Sequence, residues 1–522
     1  MGPLNGRDSL IEELRTRKRF DLLIIGGGAT GLGTAVEAAS RGLSVALVER
    51  RDFCHGTSSR STKLVHGGVR YLAQANLSLV FEALRERGRL LRNAPHLCRR
   101  LPLIVPAYRR RDGIYYAVGL GIYDLMSGWH SLGRTRLLSP AQVQKRLPAV
   151  RSRGLRGGVL FYDGQFDDAR LGIALARKAR DLGALPLNYV AVEALLLAQT
   201  RVAGARLRDV LSGESMEVEA DVTVNATGEG ADAIRKMADA SAAPRLVLSR
   251  GSHIVLPGNL LGGDTALLVP KTEDGRVLFA IPWQGRTLAG TTDVPVETAE
   301  DEPVPSTAEI DFILEHLNRY FDRKVDRADI LSVFAGLRPL VGQSGGGAGD
   351  TAALSRDHTL EVLHGNLVSI MGGKWTTYRR MAEDTVDRAT RIGRLRAGPS
   401  VTADLDLGGA ERDGARPFAA YGEDAPALQA LVHESPELGE LLHPALPCRK
   451  VEIVWAARRE WACRLEDALA RRTRCLLLDA RASMEAAPEA ARLMGETLGR
   501  DQAWKDRQVS EYQALARKYL PD

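Results

Sequence analysis

The chain has 522 residues, 44% of them hydrophobic and 26% charged, with a formal net charge of +6 carried mostly by arginine. That size and balance suit two or three globular domains with a large core and exclude an intrinsically disordered chain. The basic surplus suits an anionic substrate or an anionic membrane surface; nucleic acid is disfavoured, because no zinc-finger spacing, RNP-type aromatic motif or lysine tail accompanies it.

Taken in chain order, the N-terminal stretch lacks the apolar core of a secretory signal, and its acidic residues argue against a transit peptide. Residues 20–25 (FDLLII) form an apolar β-type run. A glycine cluster follows, then a helical pattern through Arg41, then a second buried-strand run, Ser44–Val48, ending in Glu49. This is a βαβ unit, the start of a doubly wound sheet. Gly26-Gly27-Gly28-Ala29-Thr30-Gly31 fits G-x-G-x-x-G between strand and helix. Gly26 permits the tight turn, Gly28 lets backbone approach a pyrophosphate, and Gly31 lets helix and strand pack closely. The helix N-terminus aims free amides at the phosphates, and Glu49 stands where a carboxylate meets the ribose hydroxyls of an adenosine. The pattern predicts a bound dinucleotide without separating FAD from NAD.

Residues 113–129 (GIYYAVGLGIYDLMSGW) are apolar and aromatic, with Arg109–Arg111 just before them. Two readings stand: a segment lying in a bilayer interface, or a core helix with a solvated basic flank. Val222–Asn225 ends in Ala-Thr-Gly and predicts a further strand of the first sheet, as does Leu367–Met371, followed by Gly372, Gly373 and a helix from Trp375 to about Ile392. Between about 246 and 340, short β-rich runs alternate with Gly, Pro and Asp turns, the pattern of an antiparallel sheet. Residues 343–350 read as a loop and 395–415 as a linker; beyond about 416 the chain reads as helical. The five cysteines, Cys54, Cys98, Cys448, Cys463 and Cys475, are scattered without a CxxC, which argues against a disulfide framework or a metal site and fits a reducing compartment. No apolar run reaches the ~20 residues that span a bilayer. The expected location is the cytoplasm, at the inner face of the membrane.

The stretch Gly56–Leu72 (GTSSRSTKLVHGGVRYL) closely resembles the corresponding region of the FAD-dependent glycerol-3-phosphate dehydrogenases. Further matches, in the family's order, are Gly251–Val255, Gly290–Val294, Gly336–Leu340, Ser355–Asp357 and Gly372–Arg379, and the C-terminal part, including Arg471–Arg474, is similar to the family's helical cap. The resemblance covers about residues 20 to 520. It implies an α/β fold: a Rossmann-like FAD-binding domain (20–245 and 335–395), an inserted antiparallel-sheet substrate domain (246–334) and a C-terminal all-helical cap domain (410–522). It also implies FAD as cofactor, glycerol 3-phosphate as substrate and a membrane quinone as electron acceptor. The oligomeric state is left open, a homodimer included. The calcium-binding loop of the mitochondrial branch is not found after residue 500.

The reaction removes a hydride from C2 and a proton from its hydroxyl, so flavin N5 must face that carbon and a proton acceptor must lie beside it. By resemblance, Thr57, Ser58, Ser59 and Ser61 line the flavin and its pyrophosphate, and Lys63, Leu64, His66, Gly67 and Gly68 pass close to its ring. Thr227 and Gly228 resemble the turn at its nucleotide side. Gly373, Lys374, Trp375 and Thr376 open a helix whose positive end suits charge on the reduced ring. Alternative readings are a serine-rich turn for the first segment and a plain helix cap for the last. Arg70, Arg356, Lys374 and Thr377 are candidates for the substrate phosphate, arginine offering bidentate contacts. By resemblance Arg70, Tyr71, His253 and Arg338 reach the substrate. His253 is the expected proton acceptor, with Tyr71 its rival, and Arg338 stabilises charge on the reacting oxygen. Two other functions remain: an oxidase passing electrons to oxygen, and a flavoprotein sensor without turnover.

Overall fold

The computed structural model describes residues 6–68, 77–270, 272, 277–342, 357–409 and 417–521. An eight-stranded sheet forms the first layer. Five of its strands run parallel in the order Leu367–Gly372, Ser215–Asn225, Arg19–Ile25, Val45–Val48 and Leu185–Leu187. The central strands are apolar and β-branched and lie buried on both faces, as parallel strands covered by crossovers must. Helices Ala29–Ser40, Asp168–Asp181 and Tyr378–Gly393 pack side by side against it. His358–Leu363 closes one edge antiparallel, and Val190–Ala198 with Arg201–Asp209 extends Ser215–Asn225 as a meander.

The second sheet has ten strands. Its centre is Leu246–Pro257, which pairs antiparallel with Ser332–Val341 on one side and with Arg286–Gly290 on the other. Here the structure departs from the division drawn from sequence. Leu64–Val65, Cys98–Ala107, Arg136–Leu138 and Gly157–Phe166, expected in the first domain, all run in this second sheet. So does the whole of Ser332–Val341, part of which was expected to return to the first domain. Chain order misleads because a sheet edge recruits partners by register and face, not by proximity in sequence.

Strand alternation gives the second sheet two different faces. Ile254, Leu256 and Val333 point toward helices Pro140–Arg146 and Thr307–Asn318. Val255 and Phe334 point the other way, toward the C-terminal helices Lys450–Arg459, Ala480–Leu498 and Gln502–Arg517. The helical domain is stitched to this sheet through backbone: Ala480 N–H donates to Leu331 O (3.1 Å) and Val333 N–H to Tyr519 O (2.8 Å).

Candidate cofactor and substrate site

Four parallel strands deliver their carboxyl ends to one crevice. Ile25 leads into the glycine turn, Val48 into Glu49, Asn225 into Thr227-Gly228, and Gly372 into Gly373–Thr377. Such a crevice is where open α/β sheets bind ligands. Gly26 turns with φ +110°, outside the range of most L-residues, and a Cβ at Gly31 would collide with the Gly26 carbonyl. Glu49 accepts from Gly27 N–H (2.7 Å) and Arg51 N–H (2.8 Å), which sets its carboxylate beside the turn; burial raises its pKa against those bonds. A Cβ on Gly28 would stand 2.9 Å from Ser58 Oγ, so the space over the first helical turn has no room for a side chain there. A helix N-terminus, a side-chain-free cradle and an acid after the second strand fit the pyrophosphate and ribose of a dinucleotide.

The segment Thr57–Gly68 bridges the two sheets. Ser58 Oγ accepts from Ala29 N–H at the start of the fingerprint helix (2.9 Å), and its carbonyl accepts from Trp375 Nε1 (2.9 Å). Thr57 donates to the carbonyl of Leu337, and Thr62 Oγ1 lies 2.9 Å from His253 Nε2, both contacts with the second sheet. Leu64 pairs with Gln165 in that sheet, His66 N–H donates to Thr376 Oγ1 (3.3 Å), and Gly67 N–H to Tyr123 Oη (2.7 Å). Gly68 has φ +76°. Thr227 donates to Asn225 Oδ1 (2.8 Å), and Gly228 turns with φ +58°. Thr377 Oγ1 donates to Lys374 O (3.3 Å), closing a single 3-10 turn ahead of helix Tyr378–Gly393.

Beneath this segment lies a buried charge cluster that sequence reading missed. Asp168 accepts from Ser61 Oγ (2.7 Å), Lys63 Nζ (2.6 Å) and Arg474 Nη2 (3.0 Å), and the Ser59 carbonyl accepts from the same lysine and arginine at 2.7 Å each. Burial pushes Lys63 down to about 7 despite Asp168, while the two cations hold Asp168 below the usual carboxylate range in spite of its burial. Close by, Asp52 accepts from Arg471 (2.5 Å) and from Arg472 (Nη2, 2.8 Å). Thus Arg474, noted only within a run in the C-terminal part, reaches back to Ser59 of this segment, and Arg471 and Arg472 reach Asp52 ahead of it. The available signal was weak: Asp167-Asp168 ahead of a helical pattern reads as an ordinary N-cap.

On the second sheet, Ser249, Gly251 and His253 stand in register with Arg338, Gly336 and Phe334. His253 is 2% exposed and stacks on Phe334 at 4.8 Å and 13°. Its Nδ1 has no hydrogen-bond partner among the described residues. Burial, then Arg338 and Lys63, push its pKa well below the ordinary value, so the ring is neutral. Arg338 lies over Gly251, donating to Thr292 O (3.0 Å) and Thr291 Oγ1 (2.8 Å). It sits inside the strand Ser332–Val341. Arg70, Tyr71 and Arg356 lie outside the described residues.

Fold and site together define a dinucleotide-dependent oxidoreductase built on two sheets. Residues 21–379 match the family model for FAD dependent oxidoreductases, and residues 366–505 match the C-terminal domain of alpha-glycerophosphate oxidase. The chain is 40% identical to the mitochondrial glycerol-3-phosphate dehydrogenase of Homo sapiens, over 98% of this chain and 75% of that protein. It is 41% identical to a probable mitochondrial glycerol-3-phosphate dehydrogenase of Caenorhabditis elegans, over 94% and 72%. The structure superposes on glycerol-3-phosphate dehydrogenase from Bacillus halodurans complexed with FAD with a TM-score of 0.80 and 28% identity, covering 99% of this chain and 98% of that one. The chain belongs to the FAD-dependent glycerol-3-phosphate dehydrogenase family, and its cofactor is FAD.

Proposed function

We propose that the protein oxidises sn-glycerol 3-phosphate at C2 to dihydroxyacetone phosphate and passes the electrons to a membrane quinone. The observation that carries this reading is the placement of a neutral, buried His253 and of Arg338 on one face of the second sheet, joined to the flavin-side loop through Thr62 and Thr57. FAD bound in the crevice supplies a two-electron acceptor for the hydride. His253, neutral and held by Phe334 and Thr62, accepts the hydroxyl proton. Arg338, tethered to Thr291 and Thr292, offsets charge developing on that oxygen. Lys374, just past the carboxyl end of strand Leu367–Gly372 and with its Nζ shielded from solvent, supplies positive charge for the phosphate. The test is anaerobic titration of the flavoprotein with glycerol 3-phosphate, glycerol and lactate. Bleaching of the visible flavin band by the phosphoester alone is expected; equal bleaching by glycerol would overturn the phosphate assignment. Reoxidation by a quinone analogue but slowly by oxygen separates dehydrogenase from oxidase.

The acceptor assignment is supported by helix Arg110–Ser127, which is apolar on both sides yet leaves one side uncovered. Tyr115, Val118, Ile122 and Leu125 line that side, and Trp129 continues it, fully exposed. A helix apolar all round is normally buried. Exposed Arg109, Arg111, Arg134 and Arg136 flank it, which suits the anionic inner face of a cell membrane. Among the described residues no helix is long and apolar enough to cross a bilayer, so this reading is of a segment lying in the interface.

A further inference from the structure

We infer that Glu309, a residue outside the substrate face, is the positioning residue for Arg338, acting through the Thr291–Asp293 turn; this rests on the reading of Arg338 as a substrate-contacting group. Glu309 opens helix Thr307–Asn318, where it completes a capping box with Ser306. One carboxylate oxygen serves that cap, accepting from Ser306 N–H (3.0 Å) and Oγ (2.9 Å) and from Arg250 Nε (3.0 Å). The other oxygen turns away from the helix and accepts from Thr292 Oγ1 (2.7 Å) and Ser252 Oγ (2.8 Å).

A cap needs only the first set of bonds. The second set fixes the turn that holds Arg338. Having donated its hydroxyl proton to Glu309, Thr292 Oγ1 accepts from Ser252 N–H (2.9 Å), one residue before His253. The Thr292 carbonyl then receives Arg338 Nη1 at 3.0 Å, and the neighbouring Thr291 hydroxyl receives Nη2 at 2.8 Å. Glu309, Thr292 and Ser252 are all buried. In a site this dry, an acceptor that turned away would leave the Thr292 and Ser252 hydroxyls unsatisfied, so the turn has one arrangement and the guanidinium one seat. Burial would raise Glu309, but the bonds from Ser306, Thr292 and Ser252 outweigh it and hold the carboxylate ionised. The guanidinium is rigid and planar, so small errors in its seat misdirect its hydrogen bonds.

The experiment is a double-mutant cycle on the rate of flavin reduction by glycerol 3-phosphate, measured anaerobically in the FAD-loaded full chain. Glu309→Ala is expected to slow reduction by roughly ten- to hundredfold, and Glu309→Gln, which keeps an acceptor toward Thr292, to recover most of that loss. In an Arg338→Met background, Glu309→Ala should add less than about a threefold effect, because its action runs through the missing guanidinium. Ser306→Ala, which removes only the cap, should lower the melting temperature and leave the reduction rate unchanged. Should Glu309→Ala fail to fold, Thr292→Val breaks the same link and carries the same expectation. A Glu309 effect that persists in full without Arg338, or one matched by Ser306→Ala, overturns the inference. Unchanged reduction in Arg338→Met alone overturns the reading of Arg338 beneath it, and the two failures are thereby distinct.

Discussion

His253 and Phe334 occupy directly opposed positions on two antiparallel strands, and their rings stack 4.8 Å apart, 13° from parallel. The stack removes one imidazole face from solvent and keeps the ring in its plane. Thr62 takes Nε2, while Nδ1 stays buried without a partner among the described residues. A hydrogen-bond-hungry, uncharged imidazole is what a proton acceptor requires.

Replacing that imidazole should therefore slow chemistry more than binding. His253→Ala is expected to cut the flavin-reduction rate about 10²- to 10⁴-fold while retaining FAD and changing substrate affinity little. Anaerobic stopped-flow over a substrate series reads both quantities. Wild-type rates in the variant would transfer the base role to Tyr71.

Acidity should reveal the same residue through stability. The folded-state pKa of His253 lies well below its ordinary 6.5. Below that value the unfolded chain binds the extra proton and the folded one does not, so stability falls as pH drops, by up to ~1.4 kcal/mol per pH unit for this one group. Above it His253 contributes no slope. Urea midpoints measured across that range should fall less steeply in His253→Gln than in the wild type, and reduction rates should stay level through neutrality.

The charge cluster under the segment Thr57–Gly68 predicts that cofactor retention depends on the C-terminal domain. Asp168→Ala leaves Lys63 and Arg474 buried without their shared carboxylate; breaking a buried pair costs about 3–5 kcal/mol. Both the melting temperature and the FAD content of the purified protein should fall. Arg474→Met should loosen Ser59, lowering FAD affinity in a reconstitution titration with the smaller loss of stability, since Lys63 still compensates Asp168.

Membrane contact is open to a direct charge-insertion test. Leu125 is 82% exposed and Val118 59%, so Val118→Glu with Leu125→Glu costs the fold little. Each apolar side chain buried in lipid contributes roughly 1.5–3 kcal/mol, and co-sedimentation with anionic phospholipid vesicles should weaken at least about tenfold. Wild-type protein that fails to bind such vesicles would remove the support this helix lends to a quinone acceptor.

From sequence alone, the first βαβ unit of the nucleotide-binding sheet was legible. Phe20–Ile25, Gly26–Gly31 and Glu49 are local: a strand, a turn and an acid within one βαβ unit, each dictated by backbone sterics and short-range spacing. The β-rich character of residues 246–340 and the helical C-terminus were legible for the same reason, since periodicity reports on each segment separately. Tertiary structure alone decided which strands join the second sheet, that Arg338 stands on the same sheet face as the His253–Phe334 pair, and that Asp168 binds both Lys63 and, 306 residues further along the chain, Arg474. Those relations depend on which faces the packed elements turn to one another. A buried carboxylate is written in the chain like any surface aspartate, and only removal from water gives it partners and a cost for losing them.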